Sequence, residues 1–275
     1  MYCEYYGFRE RPFNVTSDPA FFFLSSSHRE ALAHFIYGVN QRKGIIVISG
    51  EIGSGKTTLC RVFLNQAAQK NIKSAFIINP NFSTKELLEA IVADFGILTS
   101  KKTKLSLVNQ LNDFLLKEAM RGNNAVLIID EAQNLKPNQL EEIRLLSNLE
   151  TDKDKLIQIV ILGQPELRFK LNLEKLIQLQ QRVVVRYHIK PLDKAELKNY
   201  IDHRLKIAGS GLERIPFTEE AFDIIYNFSG GTPRLINILC DRCLLAGFAA
   251  HTFTIDEKIV RTCLEEVKPY DSIIN

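Results

Sequence analysis

Short β-branched apolar runs recur along the first two thirds of the chain, at Gly44 to Ser49, Ser74 to Ile78, Ala125 to Ile129, Leu156 to Leu162 and Val183 to Ile189. Continuous apolar runs of this length fit strands buried on both faces, as in a parallel sheet. Between the runs, apolar residues fall three and four apart. Leu32, Phe35, Ile36 and Val39 mark a helix from His28 to about Arg42. Ser83 and Glu86 form a capping box ahead of Leu88, Ile91, Val92 and Phe95. Strands alternating with helices at this spacing predict an α/β fold, a five-stranded parallel sheet in a three-layer αβα core. Near Pro191 the pattern changes to helices alone, over residues 193–208, 218–228, 233–249 and 256–267, and Asp193 with Glu196 supplies a second capping box. Two domains are therefore expected, a core over 1–190 and a small all-helical domain over 191–275. The first 27 residues are rich in Phe, Tyr and Pro, including Pro12-Phe13 and Phe21-Phe22-Phe23, and read as an irregular segment packed onto a globular body.

The first apolar run leads into Gly50-Glu51-Ile52-Gly53-Ser54-Gly55-Lys56-Thr57, which fits G-x-x-x-x-G-K-[ST] at every fixed position. The motif lies between a predicted strand and a predicted helix through Leu59, Phe63 and Leu64, the context in which it binds phosphates. Glycines let successive N–H groups point at phosphate oxygens, and the helix N-terminus adds partial positive charge. The expected nucleotide contacts are thus Gly50, Glu51, Ile52, Gly53, Ser54, Gly55, Lys56, Thr57 and Thr58. Lys56 would meet the β- and γ-phosphates of ATP, and the Thr57 hydroxyl would ligate Mg²⁺. The third run ends in Asp130-Glu131, and a buried strand has no packing reason to end in two carboxylates. Asp130 is expected to hold Mg²⁺ with Thr57, and Glu131 to orient and deprotonate the attacking water. Two adjacent acids at this place also imply a further strand between the P-loop strand and the Asp-bearing strand.

Composition narrows the partners. The net charge of +3 gives no global basic field that would demand nucleic acid. A local group, Lys101, Lys102 and Lys104, reads first as a solvated loop. Five cysteines, an odd and scattered set, argue against a secreted disulfide framework. Cys240 and Cys243 form a C-x-x-C, but no second Cys/His pair stands at zinc-finger spacing and the surrounding pattern is helical, so both read as buried or half-buried helix residues. No apolar run approaches the ~20 residues needed to span a bilayer, and the N-terminus lacks the basic-then-apolar order of a signal peptide. A cytoplasmic protein is expected, peripheral at the inner membrane only through a partner.

With these residues in place the chain resembles the AAA+ family, and more narrowly ATPases of the general secretion pathway protein A (ExeA/GspA) type, which are related to TniB-like transposition ATPases. The carriers are Met1-Tyr2, Tyr6-Gly7-Phe8, Pro12-Phe13, Asp18-Pro19 and Phe22, then His28-Arg29-Glu30-Ala31-Leu32 and Gly50 to Thr58. Asp130-Glu131-Ala132-Gln133-Asn134-Leu135, Leu162-Gly163-Gln164-Pro165-Glu166-Leu167 and Gly230-Gly231-Thr232-Pro233-Arg234 follow. The resemblance implies that the helical domain is a lid and that Gln164 is a first sensor of the γ-phosphate. It implies that Arg234 is a second sensor at the start of a lid helix. It also implies an arginine offered to a neighbouring subunit, Arg182 in preference to Arg186, completing an ATP site between subunits of a homo-oligomer. The aromatic N-terminal segment and the lid would flank the adenine.

The resemblance implies a hydrolase that drives or gates assembly of a membrane-associated secretion, pilus or polysaccharide-export machine, with a membrane-complex protein as partner. Two alternatives compete. One is a DNA-associated regulator of transposition, which the weak net charge disfavours; the other is a nucleotide-gated binding module with negligible turnover, which Glu131 disfavours. Proteins of the secretion type often continue into a membrane span and a peptidoglycan-binding region, whereas this sequence ends at Asn275. The expectation is either a stand-alone ATPase or a piece of a longer protein.

Overall fold

In the computed structural model, residues 1–68, 70–100, 102–209 and 217–267 are described. The chain starts with the short helix α1 (Tyr2–Tyr6) and passes through a 3₁₀ turn at Pro19–Phe21 into α2 (Ser26–Asn40). Strand β1 (Ile45–Gly50) leads to α3 (Lys56–Ala67), and β2 (Ile72–Ile77) to α4 (Thr84–Asp94) and α5 (Lys104–Met120). Strand β3 (Asn124–Ile129), α6 (Pro137–Leu146), β4 (Gln158–Gly163), α7 (Pro165–Leu171), α8 (Ile177–Arg182) and β5 (Val183–Ile189) follow. The chain continues with α9 (Lys194–Ile207), α10 (Glu219–Ser229), α11 (Pro233–Ala249) and α12 (Glu257–Val267).

All five strands run parallel, in the order β2-β3-β4-β1-β5. The strand expected between the P-loop strand and the Asp-bearing strand is β4, paired with β1 on one side and β3 on the other. This placement brings the C-terminal ends of β1, β3 and β4 side by side, so that residues just beyond three different strands converge. β1, β4 and all but the first residue of β3 are buried throughout, as their unbroken apolar runs require.

By its packing the chain divides into two compact units. One comprises His28–Glu51 and Lys56–Ile189. Its largest core lies on the face of the sheet to which Ile45, Val47, Leu127, Ile129, Ile159 and Ile161 point, against α4, α5, α6, α7 and α8. Within the same unit Phe35 of α2 stacks on Phe63 of α3, ring centroids 4.0 Å apart, which fixes the helix that follows the P-loop. The Ser83–Glu86 capping box closes reciprocally at the start of α4.

The other unit comprises Met1–Ser27, Ile52–Gly55 and the described residues from Lys190 onward. Here α9, α10, α11 and α12 share a core with the N-terminal aromatics Tyr2, Tyr6, Phe8, Phe13 and Phe21. Tyr5 stacks on Phe253, and Phe13 meets Phe217 edge to face. Arg204 of α9 is buried and donates from Nε to the Pro12 carbonyl at 2.6 Å, from a terminal nitrogen to the Asn14 carbonyl at 3.0 Å, and to the Tyr200 hydroxyl at 3.1 Å. The face of the Phe21 ring covers its guanidinium, 4.9 Å from the centroid. Cys240 and Cys243 are buried helix residues of α11 in the same core. Among the described residues no helix is long and apolar enough to cross a membrane.

Candidate active site

The loop after β1 turns through two glycines in the left-handed region, Gly53 at φ 78° and Gly55 at φ 90°, where an L side chain would be strained. At its end α3 begins, with Lys56 as the first helical residue. Lys56 is buried, and its ammonium donates to the carbonyls of Gly50 and Glu51 at 2.8 and 2.9 Å, back across the base of the loop. Burial pushes its pKa down, and the carboxylates of Glu131 and Asp130 act against that shift. Ser54 is buried within the loop, while Glu51 and Ile52 are exposed, and Gly53, Gly55, Thr57 and Thr58 are half-buried.

Asp130 follows β3 directly and is buried. Its Oδ2 accepts from the Thr57 hydroxyl at 2.5 Å, and its Oδ1 from the Glu131 backbone N–H at 2.9 Å. Burial raises its pKa, and those two hydrogen bonds oppose the rise. The two residues expected to share Mg²⁺ are thus in direct contact, across strands that the β4 insertion keeps one position apart. A buried carboxylate and a hydroxyl in contact, beside a buried ammonium, form a donor set of hard oxygens that suits a phosphate-bound Mg²⁺.

Glu131 occupies the left-handed region at φ 55°, ψ 37°. A non-glycine residue there is uncommon and is held by its surroundings. Its Oε2 accepts from Gln133 Nε2 at 2.5 Å and from Gln164 Nε2 at 3.1 Å. Gln164 sits at the end of β4 and opens α7, and its backbone N–H donates to Gln133 Oε1 at 3.1 Å. Gln133 therefore bridges the two strand ends through both ends of its amide, and its own carbonyl accepts from the Lys170 ammonium. Sequence reasoning gave Gln133 no role, although it stands within the Asp130 to Leu135 string; an amide two residues beyond a catalytic-type acid was the available signal. Gly163 leaves the room this bridge needs, because an added Cβ would come within 3.0 Å of Gln133 Oε1.

Of the predicted residues, three arginines remain. Arg182 is half-buried at the end of α8, next to the edge strand β5, and Arg186 is exposed on β5 with one nitrogen on the Gln180 carbonyl at 3.1 Å. Among the described residues neither hydrogen-bonds to Lys56, Asp130, Glu131 or Gln164. Arg234, on the first turn of α11, is exposed; its backbone N–H donates to the Gly53 carbonyl at 3.3 Å, and its Cβ lies 2.3 Å from where a Cβ on Gly53 would be. Both residues belong to the helical unit, so Gly53 is a glycine for two reasons, its φ and this close approach. Of the lysine group, Lys104 is tied to the buried carboxylate of Glu142 at 2.5 Å, Lys102 is exposed, and Lys101 lies outside the described residues.

A family model described as an AAA domain matches residues 39–171, which run from the end of α2 through α7. General secretion pathway protein A of Aeromonas hydrophila is 42% identical over 250 residues, 90% of this chain and 45% of that protein. The chain thus spans less than half the length of this relative. Among solved structures, Cdc6p from Pyrobaculum aerophilum matches with a TM-score of 0.69 at 19% identity, over 93% of this chain and 73% of that one. The Aeropyrum pernix ORC2 protein, solved as ADPNP–ADP complexes, matches with a TM-score of 0.68 at 17% identity, over 94% and 72%. The Thermotoga maritima RuvB Holliday junction branch migration motor matches with a TM-score of 0.57 at 17% identity, over 87% and 68%. At these identities the structural likeness speaks for the fold alone. The chain is a P-loop protein with an AAA domain over residues 39–171, similar along nine tenths of its own length to general secretion pathway protein A.

Proposed function

We propose that the chain binds ATP with Mg²⁺ at residues 50–58 and hydrolyses it, in a homo-oligomer whose sites lie between subunits. The observation that carries this reading is the contact set Thr57–Asp130–Glu131–Gln133–Gln164, which gathers a hydroxyl, two carboxylates and two amides around the strand ends beside the P-loop. Lys56 would exchange its two carbonyl partners for the β- and γ-phosphate oxygens, a stronger bond for a cation that burial disfavours. Thr57 and Asp130 would hold Mg²⁺, which supplies charge neutralisation at the phosphates when bound. Glu131 would take a proton from the water that attacks the γ-phosphate, with Gln133 and Gln164 fixing its carboxylate. Gln164 would sense the γ-phosphate, Arg234 would act as second sensor, and Arg182 would reach a neighbour's phosphates, where charge develops during transfer. On this reading residues 1–190 act as the nucleotide-binding core and 191–275 as a lid.

The 42% identity to general secretion pathway protein A supports a task in a membrane-associated secretion, pilus or polysaccharide-export machine, whose assembly the ATPase drives or gates at the cytoplasmic side through a protein partner. The test is ATP turnover against protein concentration. Specific activity is expected to rise steeply with concentration, to vanish in Lys56→Ala, and to fall in Arg182→Ala with ATP binding kept. Activity independent of concentration and indifferent to Arg182→Ala would contradict a shared site. Turnover that needs duplex DNA and declines with salt would move the chain to the DNA-associated class.

A further inference from the structure

Beside the P-loop strand, on the other side from β4, lies a pocket that the nucleotide site does not use. Its floor is Val47 and Ser49 of β1, its inner wall Arg186 and His188 of β5, and its outer wall Arg168 and Asn172 at the end of α7. The register pairs Val47 with Arg186 and Ser49 with His188, so alternation sends all four side chains to one face of the sheet. The cavity is ≈ 210 Å³. That is below the ~300 Å³ at which pockets for drug-sized ligands begin, a size that suits a small ion.

The lining is rich in donors. No Asp or Glu lines the pocket, and among the described residues neither guanidinium forms an ion pair. Arg186 is steered by a single bond to the Gln180 carbonyl, which leaves its other N–H groups for a ligand. Gln180 also donates to Asn172 Oδ1 at 2.7 Å, and this turns the Asn172 amide so that its NH₂ is the end left to donate. At the floor, Ser49 Oγ lies 3.0 Å from His188 Nδ1 and donates to the Tyr187 carbonyl at 3.4 Å, so these groups are held within the sheet. Two planar forks and an amide around a small cavity without a carboxylate suit a tetrahedral oxyanion.

We propose that this pocket is a second anion site, distinct from the P-loop, that takes free inorganic phosphate. Its position gives the ligand a route to the nucleotide loop, because Ser49 is the residue immediately before Gly50. Equilibrium dialysis with radiolabelled orthophosphate tests it on the full chain and on Lys56→Ala, in which the P-loop has lost its cation. Lys56→Ala should retain one phosphate per chain, and Arg186→Gln or Arg168→Gln in that background should weaken it at least tenfold. Both arginines are exposed, so the variants should melt as their parent does; the rise in melting temperature with added phosphate, present in Lys56→Ala, should disappear in them. Phosphate binding abolished by Lys56→Ala, or unaffected by both arginine changes, overturns the proposal. Stronger retention of glycerol 3-phosphate than of orthophosphate also overturns it, since the pocket would then be reading a phosphomonoester.

Discussion

Replacing Arg204 with methionine keeps an apolar stem of similar length and removes the guanidinium that holds the N-terminal segment. Three donations are lost, to the Pro12 carbonyl, the Asn14 carbonyl and the Tyr200 hydroxyl, along with the contact over the Phe21 ring. Each charged hydrogen bond is worth about 1.5–3 kcal/mol by mutational series, and they do not add. Asn14 keeps one donor, Asn237 Nδ2 at 3.4 Å, whereas Tyr200 still bonds Asn237 Oδ1 at 2.8 Å. A net loss of about 3 kcal/mol follows, the low end of what removing one member of a buried charged network costs. Local opening of the segment is read by hydrogen exchange at the amides of residues 13–23. At tenfold per 1.4 kcal/mol, those amides should exchange roughly a hundredfold faster in Arg204→Met. Acceleration below about fivefold, with the urea midpoint unchanged, would mean that water serves those carbonyls as well as Arg204 does and that Arg204 does not hold the segment.

Two further substitutions address the site and the lid. Gln133→Leu removes the amide that bridges Glu131 and Gln164, and should slow ATP turnover about 10- to 100-fold, the loss of one hydrogen bond to a charged group, while equilibrium ATP binding stays within about twofold; an equal loss of binding would show that Gln133 shapes the pocket instead. Gly231→Ala places a Cβ 1.9 Å from the Leu192 carbonyl at φ 78°, and should cost about 3 kcal/mol or more in urea unfolding of the helical unit. Gly230→Ala, at φ 53° with open space around it, should cost only about 1–2 kcal/mol, and equal costs for the pair would remove the steric argument.

Much of the fold could be read from residues because its signals are local. The five apolar runs fall on β1 to β5 within about two residues, and the two S/D-x-x-E boxes open α4 and α9. Glu131 adjoining Asp130 after β3 implied a strand between β1 and β3, and β4 occupies that place. What stayed hidden depends on contacts far apart in sequence. Nothing in the aromatic pattern of residues 1–27 tells that Arg204, some 190 positions on, supplies donors to Pro12 and Asn14. The role of Gln133 is equally non-local: its amide joins two strand ends, and only the left-handed backbone at Glu131 aims that carboxylate toward it. The donor-lined pocket of Arg168 and Arg186 needed the β1–β5 register, which a sequence does not print.

In the proposed function Glu131 activates water at an ATP site built on Lys56, Thr57 and Asp130. The most direct measurement follows the fate of ATP bound to Glu131→Gln in the presence of Mg²⁺, beside wild type. Wild type should convert bound ATP to ADP and phosphate, Glu131→Gln should bind ATP as tightly yet hydrolyse it at least about 100-fold more slowly, and chelating Mg²⁺ should stop both. Equal hydrolysis by the two proteins, or no ATP binding by either, would contradict that function.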